Sequence, residues 1–474
     1  MNKFFLNKLH TLLLFTVLLT TCFTSIVVGQ KQLSLSFDTQ STTKFLCPPR
    51  ISSVINDESD PATKYGLFIN VLEDNNIIRD TNFQVVVSSN GNSVLNTKNI
   101  KVSKKTGKIH LLMIPNGVGF CTITVEVSYK KQTATINIEY AASDNSVKDG
   151  LYHTGISDAS AAISIDNNTM LVGDDETNQL LLFDTRVSGL PIRSFNYEKL
   201  LDLEDGTIDN KKEVDVECAA KSAMHPNMSY WLGSMSNGGK RMDMKPNRNT
   251  LFATAISGIG KDIDVKIIGE YHQLRKNLIE WGKTNGYQLD IAASAGMEPK
   301  RVDGFNVEGM CFAPDNTTLY VCFRAPIVPV KDRNNALIAP LLNFETWFNN
   351  GKTTGKPQFG KPIEIDLNKR GIRDIISLSD KSYLIVAGNS DHIKNAALYK
   401  WTGLSEDRPQ LLSIPDISNL PIEAAIEVFE DGMPSGKVQL ICDNGSTAWY
   451  NDGNPSKNLD YRYKKFLSKV VKIN

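Results

Sequence analysis

An all-β chain, a β-sandwich followed by a β-propeller of about five blades with space for a sixth, is predicted by three observations. Short apolar or alternating runs recur between turn residues, one small pattern returns five times between Asp158 and Ala425, and a single stretch has helical spacing. The 474 residues suffice for more than one domain with its own core. Lys+Arg number 52 and Asp+Glu number 52. Such neutrality lacks the basic surplus that nucleic acid or an anionic membrane demands, so neither is an expected partner.

Residues 1–29 have the form of a secretory signal. Lys3, Lys8 and His10 form a basic start, an apolar run follows from Leu12 to Val17, and Val27-Val28-Gly29 precedes a cut. Thr20, Thr21, Thr24 and Ser25 interrupt a membrane-length span, and no later segment is apolar enough for one. Secretion is therefore expected, with periplasmic retention or a lipid anchor at Cys22 as alternatives. An oxidising compartment permits Cys47 to pair with Cys121. Cys218, Cys311, Cys322 and Cys442 lie inside apolar runs and are expected as buried thiols. In a eukaryotic host, Asn167, Asn227, Asn316 and Asn444 are acceptors for glycans.

Residues 30–142 form the first module. Strand-like runs such as Phe83-Gln-Val-Val-Val and Cys121-Thr-Ile-Thr-Val-Glu-Val are punctuated by Asn90-Gly91 and Asn116-Gly117. Alternation of apolar and polar residues gives each strand one buried and one wet face, as in a sandwich. A polar linker from Ala142 to Gly150 follows.

Residues 148–474 hold the repeats. The pentads are Asp158-Ala-Ser-Ala-Ala, Asp215-Val-Glu-Cys-Ala, Asn306-Val-Glu-Gly-Met, Ile372-Arg-Asp-Ile-Ile and Pro421-Ile-Glu-Ala-Ala. Each leads into a strand, and a second strand follows closely, as at Met170-Leu-Val-Gly-Asp and Tyr383-Leu-Ile-Val-Ala-Gly. Three or four strands per repeat, closed radially, make a propeller. The helical spacing of Leu274, Leu278 and Trp281 predicts an inserted helix near 271–283.

The third pentad positions are Ser160, Glu217, Glu308, Asp374 and Glu423, which predicts a ring of acids at one mouth of a channel. Ends of second strands add Asp174, Asp175, Arg324 and Asp443 on the same face. Clustered buried carboxylates repel one another, and oxygen donors of this type suit Ca²⁺. The expected metal ligands are Glu217, Glu308, Asp374, Glu423, Asp174 and Asp443. Capping of the neighbouring blade through backbone N–H groups is the competing role for each acid. Lys240, Arg241, Lys245 and Arg248 form a basic stretch read as a solvated loop.

Leu171-Val-Gly-Asp-Asp-Glu-Thr-Asn, Trp231-Leu-Gly-Ser-Met-Ser-Asn, Asn306-Val-Glu-Gly-Met, Phe323-Arg-Ala-Pro and Arg370-Gly-Ile-Arg-Asp-Ile span most of 150–450. Together they resemble the secreted propeller family known as domain of unknown function 3616, which implies a propeller and no set activity. Gly233-Ser-Met-Ser stands where that family suggests Gly-Ser-His. The Ile51–Thr63 stretch and the Gly119 region resemble immunoglobulin- or cadherin-like modules. The Glu-Gly strand start is distantly similar to phytase-like esterase propellers. If the mouth is hydrolytic, Glu308 activates water and Arg324 stabilises developing charge on an ester or phosphoester. The alternative is a non-catalytic extracellular binding or adhesion protein, favoured by the lack of nucleophile motifs. Either takes a small-molecule or extracellular ligand.

Overall fold

The computed structural model describes residues 31–198, 201, 213–222, 224–391 and 394–473. The signal-peptide reading of 1–29 lies outside them. Two antiparallel-rich sheets form the N-terminal module. One orders Leu33–Phe37, Leu67–Glu73, Lys108–Met113 and Ile100–Lys105, and the other Arg50–Val54, Gln132–Ser143, Gly119–Tyr129 and Gln84–Ser89. In Leu67–Glu73 and Gly119–Tyr129, inward residues alternate with outward ones, so Leu67, Ile69, Val71, Ile123, Val125 and Val127 meet in a shared core. The two-residue period of a strand produces this amphipathic face.

Five further sheets of four or five strands, with two small two-stranded pairs beside them, build the rest of the described chain. Their innermost strands are Ala159–Ser164, Val216–Lys221, Asn306–Phe312, Gly371–Ser377 and Ile422–Glu430. Each touches the next in that order, and the last returns to the first, closing a propeller ring. These strands are almost wholly buried because both faces meet neighbouring sheets. Apolar residues therefore run continuously instead of alternating. The last sheet is closed by distant parts of the chain: Gly150–Thr154 pairs outside Lys465–Lys472, with Gly150 opposite Lys469.

The inserted helix forms at Leu274–Thr284 and buries Leu274, Leu278 and Trp281, the face its spacing marks. Trp281 Nε1 donates to Gly360 O at 3.0 Å.

The sandwich is fastened to the closing sheet by polar contacts, most of them buried. Lys465 Nζ donates to Ser53 O at 2.6 Å and to Ser143 Oγ at 2.7 Å. Ser52 Oγ and Tyr450 Oη lie 2.8 Å apart, and Arg50 pairs with Asp460 at 2.5 Å. Val54 and Ala141 of the sandwich join the hydrophobic cluster of that sheet.

The Cys47–Cys121 disulfide does not form. Both are free thiols: Cys121 is buried in the sandwich core, whereas Cys47 Sγ lies 3.6 Å from Tyr461 Oη at the boundary between the modules. Cys218, Cys311, Cys322 and Cys442 are free and buried. Burial pushes all four thiols upward, so the native protein should be unreactive to a thiol reagent at these positions. Mass analysis after brief labelling checks this, with Cys47 the expected site of modification.

Asn167, Asn227 and Asn316 are exposed and occupy the hairpins joining first to second strands of three consecutive sheets. Asn444 is not available for a glycan. It is 5% exposed, its Oδ1 accepts from Leu467 N at 2.8 Å, and its Nδ2 donates to Thr447 Oγ1.

Candidate cation and anion centre at the ring mouth

Antiparallel pairing brings the starts of the innermost strands and the ends of the second strands to one face of the ring. There, each innermost strand carries a bulge. Pairing skips Ser160, Glu217, Glu308, Arg373 and Glu423 in turn. A bulge leaves its extra residue outside the ladder and re-aims that side chain. The repeated position is thus real, with one correction: the fourth sheet presents Arg373, not Asp374. The sequence pentad there is out of phase by one residue.

Asp374 instead faces the neighbouring sheet. Its Oδ1 accepts from Ile375 N at 2.8 Å and its Oδ2 from Ala425 N at 2.9 Å. Both oxygens are used in holding two sheets together, so Asp374 is removed from the expected metal ligands. Burial pushes its carboxyl up to about 7. In the unfolded chain the group titrates near 4. Between those values the folded state holds a proton that the unfolded state has released, so stability falls as pH rises from about 4 to about 7. The contribution reaches about 1.4 kcal/mol per pH unit in that window. Urea melts of chelated protein at pH 5 and 7 check the sign.

Glu308 is 1% exposed and ion-paired, with both hydrogen bonds on Oε1 and none on Oε2. Arg324 Nη1 donates to its Oε1 at 2.7 Å, Asn306 Nδ2 donates to the same oxygen at 2.8 Å, and Arg373 Nη1 lies 3.3 Å from Oε2. Burial raises this carboxyl, but Arg324 and Arg373 outweigh it and hold it below the usual range. A carboxylate held by two guanidiniums is a poor base for water, so the catalytic reading of Glu308 gains no support. Arg324 is equally committed: Nε donates to Ser390 O and Nη2 to Asp391 O. Glu423 takes Arg373 Nη1 at 2.5 and 2.6 Å. Glu308 and Glu423 belong to one ion-paired network.

The acids with the least compensation lie elsewhere in the mouth. Asp158, Asp174 and Asp175 each bring a carboxylate oxygen within 4.8 Å of the others, and Asp175, Asp215 and Glu217 do the same. Of the residues expected as ligands, Asp174 and Glu217 join these triads; Glu308, Asp374, Glu423 and Asp443 do not. Asp175 is common to both. Its Oδ1 and that of Asp174 are buried without a hydrogen-bond partner. Burial pushes Asp174 up to about 7, and burial followed by Glu217, Asp215, Asp443 and Asp158 pushes Asp175 well up. Glu217 is driven up by burial, then by Glu308 and Asp215. Arg248, from the stretch read as a solvated loop, turns inward and lies 3.2 Å from Asp215. Asp158 approaches the backbone so closely that a Cβ at Gly445 would lie 1.6 Å from its Oδ1. A side chain at 445 would force the Asp158 carboxylate to move.

Asp158 and Asp215 occupy the first pentad positions, a phase with acids in only two repeats. Their role was visible as pattern but not as chemistry. Lys300, which approaches the same acids, follows the helical insertion and has no sequence signal.

No family model and no curated protein matches the chain. Among solved structures, a putative phosphatase from Bacteroides thetaiotaomicron is 10% identical, with a TM-score of 0.29, covering 88% of this chain and 82% of that one. A streptogramin B lyase is 10% identical with a TM-score of 0.31, over 68% of this chain and 98% of its own. A putative glucose dehydrogenase-type oxidoreductase from Thermus thermophilus is 11% identical with a TM-score of 0.33, over 67% and 98%. Superpositions this loose transfer no activity; the cyclic contact of the five sheets itself defines the ring.

Proposed function

We propose that the chain is a secreted protein with a five-bladed propeller on an immunoglobulin-like sandwich, related to the domain of unknown function 3616 family. Its mouth binds Ca²⁺ and, with it, a small ligand. The observation that carries this reading is Asp175, shared by two carboxylate triads and bearing a buried oxygen with no partner. Unpaired carboxylates at such spacing are costly when ionised, and a hard divalent cation with oxygen ligands removes that cost. Recognition fits better than hydrolysis, because Glu308 and Arg324 are occupied with each other.

Calorimetric titration of chelator-stripped protein with CaCl2 tests the reading. The expected result is stoichiometric binding that disappears in Asp175→Asn and survives in Asp262→Asn, an exposed acid remote from the triads. A wild-type protein that takes up no calcium sinks it. Calcium should also raise the melting temperature at pH 7 more than at pH 5, where protons compete for the same oxygens.

A further inference from the structure

Beside the carboxylate triads the mouth changes sign. A cavity of about 170 Å³ is lined by Lys300, Arg324, Arg373 and Lys394, together with Glu423 and Asp443. The two arginines are matched by Glu308 and Glu423. Neither Lys300 nor Lys394 makes a salt bridge or hydrogen bond among the described residues, so both line the cavity with Asp443 as unpaired side chains. That acid already accepts Gly445 N at 2.8 Å, and burial pushes its carboxyl up. Arg373 Nε is a further buried donor without an acceptor.

Lys300 is placed over the mouth by a braced loop. Asn237 Nδ2 donates to Ser294 O at 2.7 Å and to Met297 O at 3.3 Å. The buried Arg275 donates to Asn237 Oδ1 and Ala293 O, and Ile327 N donates to Val302 O. So held, the ammonium acts on Asp215, Glu217, Glu308 and Asp443 from one position. Asp443 lines the cavity and also acts on Asp175, so the basic cavity and the acidic triads adjoin.

A ligand that satisfies both halves must offer anionic oxygens to Lys300 and Lys394, and another to a cation at Asp175. A tetrahedral dianion does this; a carboxylate, planar and singly charged, has too few oxygens. We propose that the cavity seats the phosphate group of a phosphorylated small molecule, bridging the two lysines to the cation. The inference rests on the cation reading given above. The volume is below the roughly 300–1,000 Å³ of cavities that enclose a drug-sized ligand, so the phosphate enters and the remainder of the molecule stays outside the cavity.

Phenyl phosphate is the probe, titrated by calorimetry into calcium-loaded and chelator-stripped protein, with benzoate as the carboxylate comparison. The expected result is binding to loaded protein, at least tenfold weaker without calcium and at least tenfold weaker again in Lys300→Ala/Lys394→Ala. That variant should keep its calcium. Calcium uptake without phenyl phosphate binding overturns the phosphate site and leaves the cation reading intact. Phosphate binding to a protein that takes up no calcium does the reverse for the cation and overturns the bridge. Benzoate binding as tightly as phenyl phosphate, or a double variant that binds phenyl phosphate unchanged, also overturns the proposal. Both lysines are outside the core, and circular dichroism of the variant confirms its fold.

Discussion

Replacing Glu308 with Gln is expected to lower the unfolding free energy by about 3–5 kcal/mol, the cost of removing one member of a buried ion pair. The site is unusually exacting because one carboxylate serves two guanidiniums, with Arg324 at 3% and Arg373 at 11% side-chain exposure. The isosteric amide keeps the volume, so packing is unchanged and the loss is electrostatic. It also turns an N–H₂ group towards donors, either Arg324 with Asn306 or Arg373. Glu423→Gln should cost less, because Glu423 meets only Arg373 by direct contact and is 14% exposed. Urea denaturation of the two variants measures the order. If Glu308 instead served only as a reactive base, Glu308→Gln would fold with unaltered stability.

Lys465→Met should be the second most damaging change, at about 3 kcal/mol, from a carbonyl and a hydroxyl that lose a charged donor and a nearby buried acid left without its cation. Lys465 is 1% exposed, and burial pulls its ammonium down to about 7 despite Asp60 and Asp57. Its two bonds cross from the closing sheet to the sandwich. The methionine retains length and apolar bulk, which isolates the polar contribution. Calorimetry should show one transition splitting into two as the modules lose their main buried tie. The wild-type stability from this lysine has a defined sign: between about 7 and its unfolded value near 10.4 the unfolded state holds the extra proton, so stability rises with pH there. A variant that melts as one unit, at an unchanged temperature, would refute the tie.

The ring was legible because its innermost strands each begin with a charged or hydroxyl residue followed by small and apolar ones, as in Glu217-Cys-Ala-Ala and Glu308-Gly-Met-Cys. The phase failed at Arg373-Asp374, where two adjacent charges fit the pattern and a slip of one residue reverses the face. Strand pairing decides that, and pairing is not local. The closing strands were missed for a related reason. Lys465, Lys469 and Lys472 make the C-terminal strand look solvated, and Gly150–Thr154 follows directly on the polar linker with no strand signal of its own; the partner that makes it a strand lies at the far end of the ring. At the mouth, Asp174 and Asp175 stood out as a pair, yet the cluster also needs Asp158 and Asp215, which only closure brings near. The disulfide expectation failed because cysteine count and compartment say nothing about distance.

The pairing of Gly150 with Lys469 makes the order of synthesis matter. A chain emerging from its N-terminus can complete the sandwich early, since all of that module's strands precede Gly150. The segment that completes the last sheet, Gly150–Thr154, is then already made while every blade is still to come. Until Lys465–Lys472 is made, that segment has no strand to pair with, and an unpaired edge is open to recruiting another chain. A chain cut before Lys465 would leave that edge open, and its expected fate is association between copies at the unsealed sheet.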